Sequence, residues 1–344
     1  LLRPAPARAA APGPSTGQRP EPLAASGAAL IGVVVGVVLV AQLRYTTSGV
    51  DGLLYHLPMV AEWLQAGSIW TVDGLLFITL GYPGFREAII AFLSLPLHHD
   101  HLALPLLLEF PLFALAVYAL VRQHTGSALL GLAASAYATS VPVVARASTS
   151  QKNDLALALA FAIALLFAIR LVEAPRHSGA LLCGGALGAL ASTKFTGVAY
   201  AAAIVGAGIA WALPRHSRPG WLRQGLGVWA LAIATAAIVA APWYLRNLLA
   251  FGNPFYPAEV RLAGVTLFEG PMRAEELWGP VTIGWNMRPL IEGWLLFVEA
   301  YGLLFPLLMA GTLALGFEIV AGRRRSGAAA VPVALALVAG LVFL

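Results

Sequence analysis

Nine apolar runs set the terms for this chain: 28–43, 102–121, 127–143, 155–172, 180–193, 197–213, 225–242, 293–320 and 328–344. A helix needs about 20 residues to cross a bilayer, with about 17 as a lower limit, and most of these runs reach it. Backbone polar groups inside lipid must satisfy one another, so repeated runs of this length predict helices rather than open strands. The expected fold is therefore an all-α polytopic membrane protein with about nine or more transmembrane helices. Charged residues make up 11% of the 344, against about 25% in soluble domains, which agrees.

The polar remainder is organised by sidedness. Residues 1–27 are rich in Pro, Ala and Gly and read as a disordered cytoplasmic tail ahead of a membrane module over 28–344. The segment 85–97 is only 13 residues long and contains Arg86, Glu87 and Pro96, so its crossing decides the side of everything after it. If it does not cross, the basic loops at Arg122, Arg176, Arg215, Arg218, Arg223 and Arg323–Arg325 all lie inside, as the positive-inside rule requires. The segment is accordingly expected to be re-entrant or interfacial. Two long outer segments follow, at about 44–101 and 243–292. Residues 56–66 place Leu57, Val60, Trp63 and Leu64 on one helical face, which predicts an interfacial helix with Trp63 and Trp70 at headgroup level.

The net charge of +5 comes from basic residues spread over short loops, which marks topology and not nucleic-acid binding. Cys183, the single cysteine, stands in an apolar run and reads as a small buried side chain. No phosphate-binding glycine loop, dinucleotide fingerprint, GxSxG or HExxH occurs, which removes support for ATP-driven transport and metalloprotease chemistry.

Four polar islands hold residue types capable of chemistry on the outer side. "SGVDGLLYHLP" carries Asp51, Tyr55 and His56; Asp51 is either a turn or capping residue or a general base at the membrane surface. "ARASTSQKND" carries Arg146, Lys152 and Asp154, where Asp154 either caps the next helix or faces Asp51 across a cavity. "STKFTG" carries Lys194, which either snorkels to headgroups or binds a phosphate. "PWYLRN" carries Trp243, Tyr244 and Arg246, where belt anchoring explains the aromatics and a phosphate contact suits the arginine. "HHDH" at 98–101 reads as a surface loop, because consecutive side chains do not converge on one ion. Glu109 and Glu299 sit inside apolar runs, where charges are costly and often functional.

Taken in order, the Asp51 turn with "YHLPMVAEWLQAG", then "YPGF", "QKND", "STKFTG" and "PWYLRNLLAFGNPFYP", resemble the GT-C fold membrane glycosyltransferases. The likeness is to bacterial relatives of protein O-mannosyltransferases and aminoarabinose transferases, over about residues 30–260. It implies a GT-C-like bundle in a bacterial inner membrane and inverting transfer from a polyprenyl-phosphate sugar to an acceptor hydroxyl at the outer face. It further implies Asp51 as base and Asp154 as second acidic residue. Lys194, Arg246 and Arg146 would stand at the donor phosphate, with Tyr55, His56, Trp243 and Tyr244 lining the substrate. One departure from the pattern is Gly52, where many members carry a second acid; a metal-assisted route is disfavoured and no cofactor is expected. Two other classes remain open: a non-enzymatic GT-C-derived subunit with partner chains in a membrane complex, and a lipid or solute transporter using Glu109 and Glu299.

Overall fold

The apolar runs become helices wherever the structure, a computed structural model, describes them. It describes residues 22–44, 50–70, 81–95, 106–150, 152–215, 219–262 and 264–273, with single positions at 295 and 299. The first helix, α1 (Pro22–Arg44), precedes a single π turn (Gly52–His56), α2 (Leu57–Ala66) and α3 (Phe85–Ser94). Then come α4 (Leu106–Thr125), α5 (Ala128–Ser140), α6 (Pro142–Ser148), α7 (Asp154–Glu173), α8 (His177–Thr193), α9 (Phe195–Arg215) and α10 (Pro219–Phe251). An antiparallel hairpin, β1 (Val260–Leu262) and β2 (Val265–Phe268), follows, with Leu262 opposite Val265. The chain is an all-α membrane protein with this small hairpin appended.

Local chemistry sets the boundaries. Ser127 caps α5, its hydroxyl accepting from the Leu130 N–H at 3.2 Å. Pro142 forces Val141 out of the helical region (φ −63°, ψ 128°), because its ring crowds the preceding residue. α5 and α6 are consequently bent by 70°. α2 stops at Gly67, which takes the left-handed conformation (φ 62°) and returns its N–H to the Trp63 carbonyl.

Three helices are long and apolar enough to cross a membrane among the described residues: Asp154–Glu173, Phe195–Ala212 and Gly225–Phe251. The bent α5–α6 pair makes a fourth if taken as one span. The expectation of nine or more rests on runs that are described only in part, since 293–320 and 328–344 lie almost wholly outside the described residues. α7 is the inner helix, with 61% of its span buried against 28% for those of α9 and α10. It packs Leu165, Ile169 and Val172 against Cys183 and Leu187 of α8 and Ile204 and Trp211 of α9, while Trp229 of α10 lies against α9 at Gly208. Cys183 is buried, as its apolar setting predicts. α8 approaches α10 closely because Gly184 and Gly188 present no side chain to Ala232, Ala236 and Val239.

Contacts fix which helix ends lie together. Asn153 donates to the Thr193 carbonyl (2.9 Å) and Tyr244 to the Ala191 carbonyl (2.7 Å), joining the start of α7, the end of α8 and the last third of α10. At the opposite end Arg170 of α7 donates to Gln123 of α4 (2.6 Å). Arg86 in the first turn of α3 pairs with Glu109 in the first turn of α4 at 2.7 Å. The heads of α3 and α4 therefore lie together. Ten residues of α3 reach only about 15 Å, half of a hydrocarbon core.

Three boundaries differ from expectation. Helix α1 begins at Pro22, inside the stretch expected to be a tail, while residues 1–21 lie outside the described residues. α10 runs through Pro242 to Phe251, so 243–251 is helix and not the start of a loop. The buried face of α2 is Met59, Val60 and Trp63. Trp63 is buried within the fold and stacks on Trp243 at 5.6 Å, because α3 and α10 cover that side of α2.

Candidate functional site

Four charged side chains meet where the π turn, the α6–α7 link, the head of α7 and the α8–α9 link converge. Asp51 Oδ2 lies 2.9 Å from Lys152 Nζ, and Asp154 Oδ1 lies 2.8 Å from Lys194 Nζ. All four are partly exposed, so these pairs contribute little to stability and are free to be exchanged for a ligand. The Lys152 ammonium is held above the ordinary lysine range, first by its hydrogen bond to Asp51, then by the charges of Asp51 and Asp154. Burial, then Asp51, Glu87, Tyr82 and Asp154, hold the Tyr55 phenol far above its usual range. The two carboxylates thus act on shared neighbours.

Neither acid is a cap. Asp51 is itself helical (φ −61°, ψ −38°) and makes no side-chain capping bond. Asp154 is the first residue of α7, and the preceding cap, Asn153, spends its amide on Thr193. Lys194 is extended (φ −158°, ψ 151°) between α8 and α9, which turns its side chain toward α7 and away from the helical ladder.

The other predicted positions divide. Tyr55 is half-buried, with its ring beside His56 and edge-on to Tyr82 at 5.9 Å. A chain of edge contacts continues from Tyr82 to Phe195, Tyr244, Phe255 and Phe268, each step 5.6 to 6.5 Å between centroids. Tyr244 therefore belongs to a line of half-buried rings that begins beside the charged pairs. His56 and Trp243 are each 3% exposed, which places them beneath the surface and not along it. Arg246 is equally buried: its guanidinium lies over Trp243 (5.4 Å) and donates to the Tyr82 carbonyl (3.1 Å). Arg146 is exposed on α6 and makes no side-chain bond among the described residues. Glu109 is occupied by Arg86. The "HHDH" stretch lies outside the described residues, and among those described no three His, Cys, Asp or Glu side chains converge to hold a metal ion.

Sequence reasoning missed three residues that hold this end together. Glu87 accepts from His56 Nδ1 at 2.6 Å. Asn247, fully buried, donates to the carbonyls of Gly81 (2.6 Å) and Pro254 (3.3 Å). Asn253 donates to Ala258 and Glu269. A carboxylate or amide beside apolar residues was the available signal for Glu87 and Asn247, and the Gly-Asn-Pro turn for Asn253.

An all-α membrane protein with two adjacent lysine–carboxylate pairs at one end of its helices defines the class. Residues 92–245 match the family model described as dolichyl-phosphate-mannose-protein mannosyltransferase, and this match supports a membrane glycosyltransferase of the GT-C type. Lys152, Asp154, Lys194, Trp243 and Tyr244 fall inside the matched segment, whereas Asp51, Tyr55, His56 and Arg246 lie outside it. No curated protein and no solved structure matches the chain.

Proposed function

We propose that the chain transfers a sugar from a polyprenyl-phosphate donor to an acceptor hydroxyl at the outer face of a bacterial inner membrane, with inversion. The observation that carries this reading is the pair of lysine–carboxylate contacts, Asp51 with Lys152 and Asp154 with Lys194, side by side. A donor phosphate entering between them competes for both ammonium groups. Lysine is a point charge that accepts a phosphate from many directions, so no rearrangement of backbone is needed. Exchange of Lys152 from Asp51 to the phosphate frees that carboxylate.

Asp51 then takes the proton of the acceptor hydroxyl as its oxygen bonds to the anomeric carbon. The bond from that carbon to the phosphate oxygen breaks, and the lipid phosphate leaves as an anion. Lys152 and Lys194 stabilise the charge that develops on it, the kind of preorganised electrostatic contribution that lowers such barriers most. Asp154 holds Lys194 in place between turnovers. Arg146, exposed nearby in sequence, is a third cation for the donor, and Arg246 supports the site from below through Tyr82. The half-buried rings from Tyr82 to Phe268 offer apolar faces to sugar or acceptor.

The test is sugar release from a radiolabelled polyprenyl-phosphate sugar by the purified protein in liposomes. Release that requires an added acceptor supports transfer. No release with any donor and acceptor pair favours the reading as a non-enzymatic subunit of a larger complex.

A further inference from the structure

Beneath Asp51 lies a buried set of charged groups that the transfer reaction does not use. His56 and Glu87 are 3% and 1% exposed and bonded at 2.6 Å, with His56 Nδ1 facing Glu87 Oε1. Arg86, also 3% exposed, lies 3.9 Å from the same Glu87 oxygen and 2.7 Å from Glu109. The set links three elements: the π turn, α3 and the head of α4. His56 Nε2 and Glu87 Oε2 have no hydrogen-bond partner among the described residues. A buried ionic set of this kind gives little stability, since apolar side chains of equal volume usually do as well. Its geometric effect is the better reason for its presence.

That effect falls on Asp51. His56 closes the π turn that Asp51 opens, and the Leu57 N–H returns to the Gly52 carbonyl across it. π turns carry a wider, less regular hydrogen-bond ladder than α-helix and recur at functional sites. The turn runs without a break into α2, and the His56–Glu87 bond ties it across to α3 at the end that carries the residue facing Lys152. The structure assigns His56 as a positioning residue for Asp51, oriented through Nδ1 by Glu87, with Arg86 and Glu109 fixing Glu87 in turn. This rests on the reading of Asp51 as the base.

Asparagine and glutamine at position 56 separate this role from general packing. Asn places its amide N–H near the position of Nδ1 and keeps donation to Glu87; Gln places it near Nε2 and loses that bond. His56→Gln should lower kcat roughly tenfold to a hundredfold, the cost of a misplacement of about 1 Å, with donor KM little changed. His56→Asn should recover most of that loss, and Gln65→Ala, on the exposed side of α2, should change nothing. A second readout needs no activity: in a Cys183→Ala background, Asp51→Cys should react faster with a water-soluble maleimide when combined with His56→Gln than with His56→Asn.

If His56→Gln fails to accumulate in the membrane, Glu87→Leu, which keeps volume and removes the acceptor for Nδ1, is measured in both ways with the same losses expected. Equal kcat and equal labelling for the Asn and Gln variants overturns the inference, as does an unaltered Glu87→Leu. If the unaltered protein transfers no sugar, the reading of Asp51 as base fails on its own, and the labelling comparison alone decides whether His56 holds the turn.

Discussion

Lys152 lies between two carboxylates: its Nζ is 2.9 Å from Asp51, and the charge of Asp154 also acts on it. Lys194 completes the line at 2.8 Å from Asp154. Opposite charges alternate across three separate stretches of chain, around Asp51, Lys152–Asp154 and Lys194, and the arrangement has consequences that solution experiments reach directly.

Asp51→Asn removes a base and keeps its shape. A general base contributes typically 10²–10⁴-fold to rate, so transfer from a labelled donor should fall by about that factor. Folding should persist, because Asp51 makes no capping bond that Asn would lose. Transfer equal to that of the unaltered protein would remove Asp51 from the mechanism.

The same variant changes Lys152. Asp51 raises the lysine's folded pKa, so the pair is intact below the ordinary lysine range and is lost only as pH climbs through the raised value. Without Asp51 the amine is more often neutral at a fixed alkaline pH. Lys152 should therefore react faster with an amine-acylating reagent near pH 9 in Asp51→Asn than in the unaltered protein, as read by peptide mass spectrometry. A slower reaction would contradict the pairing.

Lys194→Ala takes away a charge that faces the donor phosphate. It should raise donor KM and lower kcat together, since the same charge meets the bound phosphate and the one that leaves, with Lys194→Arg intermediate because Arg keeps the charge and alters its geometry. Unchanged kcat and KM would remove Lys194 from the donor site.

Sidedness follows from α7, whose 20 residues extend about 30 Å. Ser150 precedes it and Ser178, exposed at the head of α8, follows it. Cysteines at these positions in a Cys183→Ala background should label from opposite sides of the membrane, Ser150 from outside. Labelling of both from one side would dissolve the outer-face site.

Packing of α8 on α10 tolerates no bulk at Gly184, where an added Cβ would fall against the Ala232 carbonyl. Gly184→Val should destabilise by about 1–3 kcal/mol or more, read as a lower melting temperature in detergent. Gly185, with open space around it, is the control.

Helices α4, α5, α7, α8 and α9 were legible in the sequence as apolar runs, whereas α6 was not, because 145–154 reads as a polar island and Arg146 and Ser148 within it are helical. The shortness of α3 was legible too, since its apolar run is too short to span, and the Arg86–Glu109 contact ties its head to that of α4. The end of the span at Pro242 was not. Proline reads as a stop, yet α10 continues past it, and neighbouring helices accommodate the missing bond. The site was half legible: Asp51, Asp154 and Lys194 stand out as charges beside apolar runs. Who pairs with whom was hidden, because partners such as His56 and Glu87, 31 residues apart, or Lys194 and Asp154, 40 apart, are joined only by tertiary packing.

Asn247 carries a consequence for how the protein is made. Its amide holds the Gly81 carbonyl across 166 residues of sequence, and Arg246 beside it holds Tyr82. At ribosomal speeds of about 5–20 residues per second, roughly ten to thirty seconds separate the synthesis of the two partners. Throughout that interval the 81–84 turn is already made but lacks its clasp. The site thus matures last, after the spans beneath it, and nascent chains halted before α10 should show the 81–84 turn open to protease.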